Sequence, residues 1–230
     1  MINSKKLNRD QIAWRAARDI PNDAVVNLGI GLPELVANHV ENNQGIIFHS
    51  ENGILGMGPI ADPGKEDFDL VSAGKKPVTV IPGASYFDSA LSFSMVRGGH
   101  IDIAILGAFQ ISRYGDLANW STGESHVTPA VGGAMDLAIG AKKVFILTTH
   151  TSRDGAPKIV ENCTFPLTAS MVVKKIFTDL AVIDLNNNGP VVREMIAGMD
   201  INTLQSLSGT QLSLDSNCKV LKVPIASINA

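Results

Sequence analysis

The sequence predicts an α/β fold in which helices cover both faces of a mostly parallel β-sheet. Two features of the 230-residue chain point to this fold. Short apolar segments alternate with segments of helical spacing, and the apolar segments are continuous runs rather than alternating patterns. Strands of that kind are buried on both faces, which is typical of parallel sheets. No internal repeat or flexible linker interrupts the pattern, so we expect one domain over residues 1–230.

The first elements are predicted from caps, breakers and segment length. Asn8 is suited to cap a helix that runs to about residue 20, where a Pro-Asn-Asp sequence ends it. Residues 24–28 are apolar and too few for a helix, so they predict a buried strand. Pro33 suits the first turn of a second helix, which we expect to extend through residue 40.

The next elements surround a segment rich in glycine. Residues 45–49 predict another short strand. Residues 52–64 hold four glycines and two prolines and predict a long loop. Residues 78–81 predict a strand that ends at a Pro-Gly pair, and residues 86–96 have the apolar spacing of a helix.

The second half of the chain continues the alternation. Apolar runs predict strands at residues 102–106 and 144–148, and a polar loop is expected around Trp120 between them. A helix over residues 135–141 is expected to begin after two glycines, and Asp200 to cap a short one at residues 202–207. Residues 186–189 (NNNG) predict a hairpin turn between strands, with Asn and Gly supplying positive φ.

Composition excludes several classes of protein. A net charge of −3 argues against nucleic-acid binding, which needs clustered Lys and Arg. No run of about 18 apolar residues is present, so no membrane span is predicted. Cys163 and Cys218 lie far apart without metal-ligand spacing, so no metal site is expected and a reduced, cytoplasmic protein is favoured.

Ligands of α/β proteins bind beyond the carboxyl ends of the strands, so chemistry is expected in the loops after residues 28, 49, 81, 106 and 148. Gly29 and Gly31 are compatible with a backbone cradle for an anion or with a plain tight turn. A dinucleotide site is not favoured, because Glu34 occupies the third glycine position of that fingerprint. Gly132 and Gly133 open a helix, and either anion stabilisation or close packing would explain them.

The most informative single residue for function is a glutamate, Glu51. Glu51 follows the strand at residues 45–49 and precedes the glycine-rich segment. Its placement is compatible with a general base, a nucleophile, a metal ligand or a structural hydrogen-bond partner of loop amides. His49 and His150 end predicted strands and are candidates to line a site, without the spacing of a metal pair.

Residues 50–56 (SENGILG) closely resemble the active-site signature that the 3-oxoacid CoA-transferase family carries in its B subunit. The resemblance covers residues 6–207 and includes four further blocks, at residues 27–33 (NLGIGLP), 97–102 (RGGHID), 117–120 (LANW) and 132–137 (GGAMDL). It implies the three-layer α/β/α fold of the isomerase and CoA-transferase superfamily. It also implies an enzyme, a transferase of sulfur-containing groups.

The resemblance implies roles for individual residues. Glu51 is expected to be the nucleophile that carries CoA as a glutamyl thioester, and the backbone N–H of Gly132 to stabilise the oxyanion. Substrate-binding positions are expected at Gly29, Gly31, Asn52, Gly53 and Gly133. Asn52 is expected to orient Glu51. No metal and no permanently bound cofactor are implied, since a CoA thioester is the substrate.

The resemblance also implies a partner. The glycine-rich signature of the family's A subunit (GGFxxxGxP) is missing from the sequence, so a separate A subunit in an A2B2 heterotetramer is expected. Succinyl-CoA is the expected donor. Residues 107–110 and 116–123 look closest to the 3-oxoadipate branch, whereas residues 82–89 look more like the acetoacetate branch, so the acceptor acid stays open.

Two other functions remain compatible with this sequence. One is a non-catalytic sensor of an acyl-CoA or sugar phosphate on the same fold, and the other is an acyl-CoA hydrolase. Residues 121–129 depart most from the blocks around them, which is compatible with substrate contact, partner contact or a variable surface loop.

Overall fold

The computed structural model describes residues 6–123 and 130–224, with only the backbone of Asn42. Its α-helices are α1 (Arg9–Ala17), α2 (Ser89–Arg97), α3 (Ala134–Gly140) and α4 (Ile201–Ser206). The strands are β1 (Val25–Leu28), β2 (Ile47–Ser50), β3 (Ile54–Ile60), β4 (Val78–Tyr86), β5 (Ile103–Leu106), β6 (Gln110–Ser112), β7 (Leu117–Ala118), β8 (Lys143–Leu147), β9 (Ile159–Val160), β10 (Val173–Phe177), β11 (Ala181–Asn186), β12 (Gly189–Ile196) and β13 (Ser213–Leu221).

Ten of these strands form one large sheet, in the order β13-β12-β11-β10-β8-β5-β1-β2-β3-β4. The five central strands, from β10 to β2, are parallel to one another. Antiparallel pairs flank them on both sides, between β2, β3 and β4 and between β10, β11 and β12. The prediction of an α/β fold on a mostly parallel sheet is confirmed.

Helices cover both faces of the sheet. α1 packs against β8, β10 and a 3-10 helix at Pro33–His39, whereas α2 and α3 pack against each other and α3 contacts β5. The connection from β1 to β2 and the connection from β5 to β8 run toward opposite ends of the sheet. Right-handed crossovers that run in opposite directions place their helices on opposite faces, which gives three layers.

The core lies on both sides of the parallel strands. Ile105 and Ile146 in the sheet are fully buried, as are Ala13 and Ala16 on α1, while Val96 on α2 fills the opposite layer. Each large apolar side chain buried in this way contributes about 1.5–3 kcal/mol to folding. The continuous apolar runs of the sequence therefore correspond to strands whose side chains are buried on both faces of the sheet.

The predicted N-caps of two helices are correct, but the type of one predicted helix and the start of another are wrong. Asn8 and Gln11 form a reciprocal capping box, with the Gln11 N–H donating to Asn8 Oδ1 at 2.8 Å. Asp200 caps α4 as predicted. The helix predicted from Pro33 is a 3-10 helix rather than an α-helix. The helix predicted from residue 86 begins at Ser89, because Asp88 accepts from the Leu91 N–H and caps it there.

The long loop predicted at residues 52–64 is wrong, because β3 occupies Ile54–Ile60. Gly56 has a φ of +89°, and the ladder shifts register beside it. Glycine at such an irregularity keeps the strand paired where another residue would be strained. β4 likewise runs beyond residue 81 through Pro82, which an edge strand tolerates.

The predicted hairpin at the NNNG sequence is confirmed as the antiparallel pair of β11 and β12. Gly189 supplies the positive φ, +103°, whereas Asn186, Asn187 and Asn188 do not adopt it, so that part of the prediction is wrong. No sequence pattern indicated β10, β13 or the small sheet of β6, β7 and β9. Residues 124–129, part of the segment considered for substrate or partner contact, lie outside the described residues.

Across residues 6–123 and 130–224, the structure contains no helix with the length and apolar character needed to cross a membrane.

Candidate active site

The carboxyl ends of the parallel strands bring the predicted loops to one edge of the sheet. Asn27 pairs with His49, and Leu28 pairs with Ile105, so the residues that follow β1, β2 and β5 are neighbours. Glu51 and Gly29 therefore share this edge. β4 also ends at this edge, but it ends at Tyr86 rather than at residue 81, where the sequence pattern predicted its end.

Glu51 lies in a tight turn between β2 and β3. The Gly53 N–H donates to the Ser50 carbonyl at 2.9 Å, and the Phe87 N–H donates to the Gly53 carbonyl at 3.0 Å. Gly53 has a φ of +115°, and a Cβ there would lie 1.8 Å from the Phe87 carbonyl oxygen. Only glycine fits, so backbone contacts on both sides fix the turn that presents Glu51.

The Glu51 carboxylate lies against the start of α3. A Cβ built on Gly133 would be 2.4 Å from Glu51 Oε2 and 2.6 Å from Phe93 Cζ. Gly133 is the N-cap residue of this helix. Its neighbour Gly132 is exposed, with a φ of +54°, and a Cβ on it would meet no described heavy atom within 4 Å. The structure thus brings together Glu51, Gly53 and Gly133, with Gly132 beside them.

The environment of Glu51 is unfavourable for its charge. Burial raises the pKa of the Glu51 carboxyl, and the negative charge of Asp136 raises it further. Asp136 itself forms a bidentate ion pair with Arg97, at 2.8 and 3.0 Å, whose hydrogen bonds lower the Asp136 pKa. Among the described residues, none donates a hydrogen bond to the Glu51 side chain. A partly desolvated carboxylate of this kind is a stronger nucleophile than a fully solvated one.

Gly29 and Gly31 use their N–H groups inside the protein. The Gly29 N–H donates to the Ile105 carbonyl at 2.8 Å, and the Gly31 N–H donates to Glu34 Oε2 at 3.0 Å. Glu34 is buried, and it also accepts from Ser72 Oγ and pairs with Lys76. Neither glycine N–H is therefore free to cradle an anion. Their place in a substrate pocket stays a prediction.

Asn52, which was expected to orient Glu51, forms its side-chain hydrogen bond with another segment. Its side-chain nitrogen donates to the Val71 carbonyl at 2.8 Å. Close by, the Ala73 N–H donates to Ser50 Oγ at 3.1 Å. Asn52 therefore ties the turn to the segment at residues 71–73 and makes no hydrogen bond to Glu51 within the described part of the chain.

The two histidines at strand ends have different surroundings. His49 is buried between Asn27 and Ser92, and burial lowers its pKa to about 4. His150 is equally buried, and its ring contacts Thr178 and Ser208 beneath α4. Burial lowers the pKa of His150 to about 4 as well, despite the opposing charge of Asp179. Both rings are neutral at pH 7, and neither is open to solvent.

Sequence reasoning missed the residues that surround Glu51 from other elements. Phe93 and Ser92 on α2 gave no local signal. Asp136 lies in the GGAMDL block, but nothing in the sequence indicated that its charge would act on Glu51. Asn27 did give one, because an amide inside the apolar strand at residues 24–28 needs a buried polar partner. In residues 6–123 and 130–224, no group of three His, Cys, Asp or Glu side chains could hold a metal ion.

Comparisons with known proteins show the family to which the sequence is related. The sequence profile of the family described as Coenzyme A transferase matches residues 9–206. The chain is 53% identical to the B subunit of the 3-oxoadipate CoA-transferase of Pseudomonas putida over 212 residues, which are 92% of this chain and 99% of that protein. It is 47% identical to the B subunit of the succinyl-CoA:3-ketoacid coenzyme A transferase of Helicobacter pylori, over 86% of this chain and 94% of that protein.

A solved structure shows the same fold. The acyl-CoA transferase apoenzyme of Escherichia coli O157:H7 matches with a TM-score of 0.72 at 19% identity. The match covers 96% of this chain and 43% of the Escherichia coli chain, so this chain corresponds to less than half of that protein.

Proposed function

Since this chain belongs to the coenzyme A transferase family, we propose that it is the B subunit of a 3-oxoacid CoA-transferase and that Glu51 carries CoA between two acids. The observation that supports this proposal most strongly is the Glu51 carboxylate itself. It is partly desolvated, it lies in a turn fixed by Gly53, and it faces the first residues of α3.

The chemistry explains why a carboxylate is required at residue 51. Glu51 attacks the carbonyl carbon of succinyl-CoA, the C–S bond breaks, and an acyl–glutamyl anhydride and CoA thiolate form. The thiolate attacks the glutamyl carbonyl, which releases succinate and leaves a glutamyl-CoA thioester. The acceptor 3-oxo acid then reverses both steps. Because the thioester bond is exchanged and never hydrolysed, water must be kept from the intermediates.

The protein must supply positioning and charge stabilisation, because a glutamate is already ionised near neutral pH. Holding the carboxylate in line with a bound thioester is worth roughly 7–11 kcal/mol in the best cases. One oxyanion donor adds about 3–4 kcal/mol. We assign that donor to the N–H of Gly132, which precedes Gly133 at the start of α3. We assign the remaining substrate contacts to the turn at Asn52 and Gly53, to Gly133, and to Gly29 and Gly31.

The site needs a second polypeptide to close it. The relatives from Pseudomonas putida and Helicobacter pylori are both named as the B subunit of their enzymes. On this chain α2 and α3 expose Leu91 (48%), Met135 (42%) and Ile139 (67%) beside the Glu51 site. Exposed apolar side chains grouped on two packed helices are typical of an interface. We therefore propose that the A subunit covers this face in an A2B2 assembly.

The acceptor is a short 3-oxo acid, and 3-oxoadipate is the first to test. The relative named for 3-oxoadipate is 53% identical to this chain, and the relative named for 3-ketoacids is 47% identical. We place the assembly in the cytoplasm, because Cys163 and Cys218 are both unpaired thiols.

An exchange assay tests the proposed function. The chain is mixed with succinyl-CoA and the A subunit, then a panel of acids that includes 3-oxoadipate and acetoacetate is added one at a time. We expect formation of the acceptor's CoA thioester and almost no free CoA. Release of free CoA without an acceptor would instead indicate a hydrolase, and tight acyl-CoA binding without exchange would indicate a sensor.

A further inference from the structure

We infer that His49 is the positioning residue of the Glu51 turn and acts as a neutral hydrogen-bonding bridge between β1, β2 and α2. The inference rests on the proposed role of Glu51. His49, Asn27 and Ser92 are each buried to 1% exposure or less, so their polar atoms depend on one another.

The His49 carbonyl group determines which ring nitrogen of His49 carries the proton. The side chain of Asn27 faces the His49 carbonyl oxygen at 3.2 Å, and a carbonyl can only accept. The Asn27 atom there is therefore the amide nitrogen. The same nitrogen lies 3.0 Å from His49 Nδ1, which must accept its second hydrogen. The ring proton is then on Nε2, which donates to Ser92 Oγ at 2.9 Å.

This arrangement uses every polar atom of the imidazole in one orientation. A charged ring would place a proton on Nδ1, against the Asn27 amide hydrogens. Burial acts in the same direction, since it lowers the pKa of His49 to about 4. Asn27 Oδ1 has no hydrogen-bond partner among the described residues, so the amide orientation is imposed by His49 and its carbonyl.

Two contacts of His49, with Ser92 and with Phe87, lead to the neighbourhood of Glu51. Ser92 precedes Phe93, whose ring edge lies against Gly133 beside Glu51 Oε2. The His49 ring stacks on Phe87, with centroids 6.3 Å apart and planes 19° apart. The Phe87 N–H in turn holds the Gly53 carbonyl. His49 thus sets the Glu51 turn and the start of α3 relative to each other, although no hydrogen bond joins its ring to Glu51 among the described residues.

The test measures the rate at which Glu51 acquires CoA in the complex with the A subunit. Wild type, His49→Leu and His49→Gln are mixed with succinyl-CoA in single turnover, and attached CoA is counted per folded complex. Leucine removes both hydrogen bonds, so we expect attachment to slow by about 10–100-fold, as a misplaced nucleophile should. We expect the KM for succinyl-CoA to change less than about two-fold, because no contact to CoA is lost.

Glutamine is the rescue variant. Its amide presents an oxygen toward Asn27 and a nitrogen toward Ser92, the polarity of the native ring. We expect attachment within about three-fold of wild type. Ser92→Ala provides a milder second variant in case His49→Leu does not fold, since it removes only the acceptor for Nε2–H. Attachment of CoA to Glu51 should also slow in Ser92→Ala.

His150→Leu is the matched control. His150 is as buried as His49, has its own two side-chain hydrogen bonds, and lies beneath α4 instead. It should lower thermal stability and leave attachment per folded complex unchanged. Wild-type attachment rates in His49→Leu, or in Ser92→Ala if the leucine variant is unfolded, would overturn the inference. A wild-type complex without CoA on Glu51 would overturn the proposed function, and the inference with it.

Discussion

Glu51, the proposed nucleophile, illustrates at the scale of one residue how a reactive position can lower stability. Its carboxylate is partly buried, lies near the charge of Asp136, and receives no hydrogen bond from the described residues. Each of these features disfavours the charged form in the folded protein. The same features leave the carboxylate free to attack, so reactivity at this residue is expected to cost folding free energy.

We therefore expect Glu51→Gln to abolish exchange and to raise the free energy of unfolding by about 0.5–2 kcal/mol at pH 7. A carboxyl whose pKa is higher in the folded state destabilises the protein when it is ionised. The advantage of the variant should therefore disappear as the pH falls below the unfolded pKa of about 4.3. Chemical denaturation of both proteins at pH 7 and pH 4 measures it. A variant less stable than wild type at pH 7 would contradict this view.

At the scale of elements, the first residue of α3 that matters for the proposed site is its N-cap, Gly133. Gly133 leaves room for both Glu51 Oε2 and the Phe93 ring. These are the mobile ends of long side chains, and they can move aside for a methyl group. Gly140 at the other end of α3 is also tightly packed, because a Cβ there would lie 2.4 Å from the Val96 carbonyl oxygen. Backbone cannot move aside so easily.

Gly133→Ala and Gly140→Ala should therefore separate activity from stability. We expect Gly133→Ala to displace the carboxylate and to lower kcat at least about ten-fold, with a loss of stability below about 1 kcal/mol. Gly140→Ala should lose about 1–3 kcal/mol of stability and keep its activity per folded protein. Thermal unfolding and exchange rates on both variants provide the comparison. Equal activity in the two would remove Gly133 from the site.

Across the whole molecule, ion pairs hold the first helix to the far end of the sheet. Arg15 on α1 donates to both carboxylate oxygens of Glu194 on β12, at 2.9 and 2.7 Å, and to Asp19 at 2.7 Å. Burial raises the pKa of Asp19, but hydrogen bonds from Lys175 and Arg15 outweigh it, and the net pKa is lowered. Removing one partner leaves charges partly buried and unpaired, which is costly.

Arg15→Met should accordingly lower the free energy of unfolding by about 3 kcal/mol at pH 7 without changing activity per folded protein. The contribution of Asp19 is present above its unfolded pKa, near 3.9, and is lost as the pH falls through the lower folded value. The difference in unfolding free energy between wild type and Arg15→Met should therefore become smaller in that acidic range. Denaturant titrations at pH 7 and pH 3 measure it, with the exposed Arg9→Met as control. A loss below about 0.5 kcal/mol would contradict it.

Features of the fold and of the site could be predicted where the local sequence reflects burial or turn formation. Four of the five central parallel strands (β1, β2, β5 and β8) were predicted, because continuous apolar runs reflect burial on both faces, whereas β10 was not. β13 was missed because it is an edge strand with mostly exposed side chains, and β3 because its glycines are typical of loops. The turn of Glu51 was recognisable by resemblance. The resemblance also implied that Gly132 and Gly133 share a site with Glu51. The residue pattern alone did not, since only the folded sheet brings these distant residues together.

The proposed mechanism requires that CoA become covalently attached to Glu51. The complex with the A subunit is incubated with succinyl-CoA without an acceptor, reduced with borohydride or treated with hydroxylamine, and mapped by mass spectrometry. We predict modification at residue 51, and none in Glu51→Ala or in freshly purified Glu51→Gln. Modification at another residue, or full exchange activity in Glu51→Ala, would contradict the account.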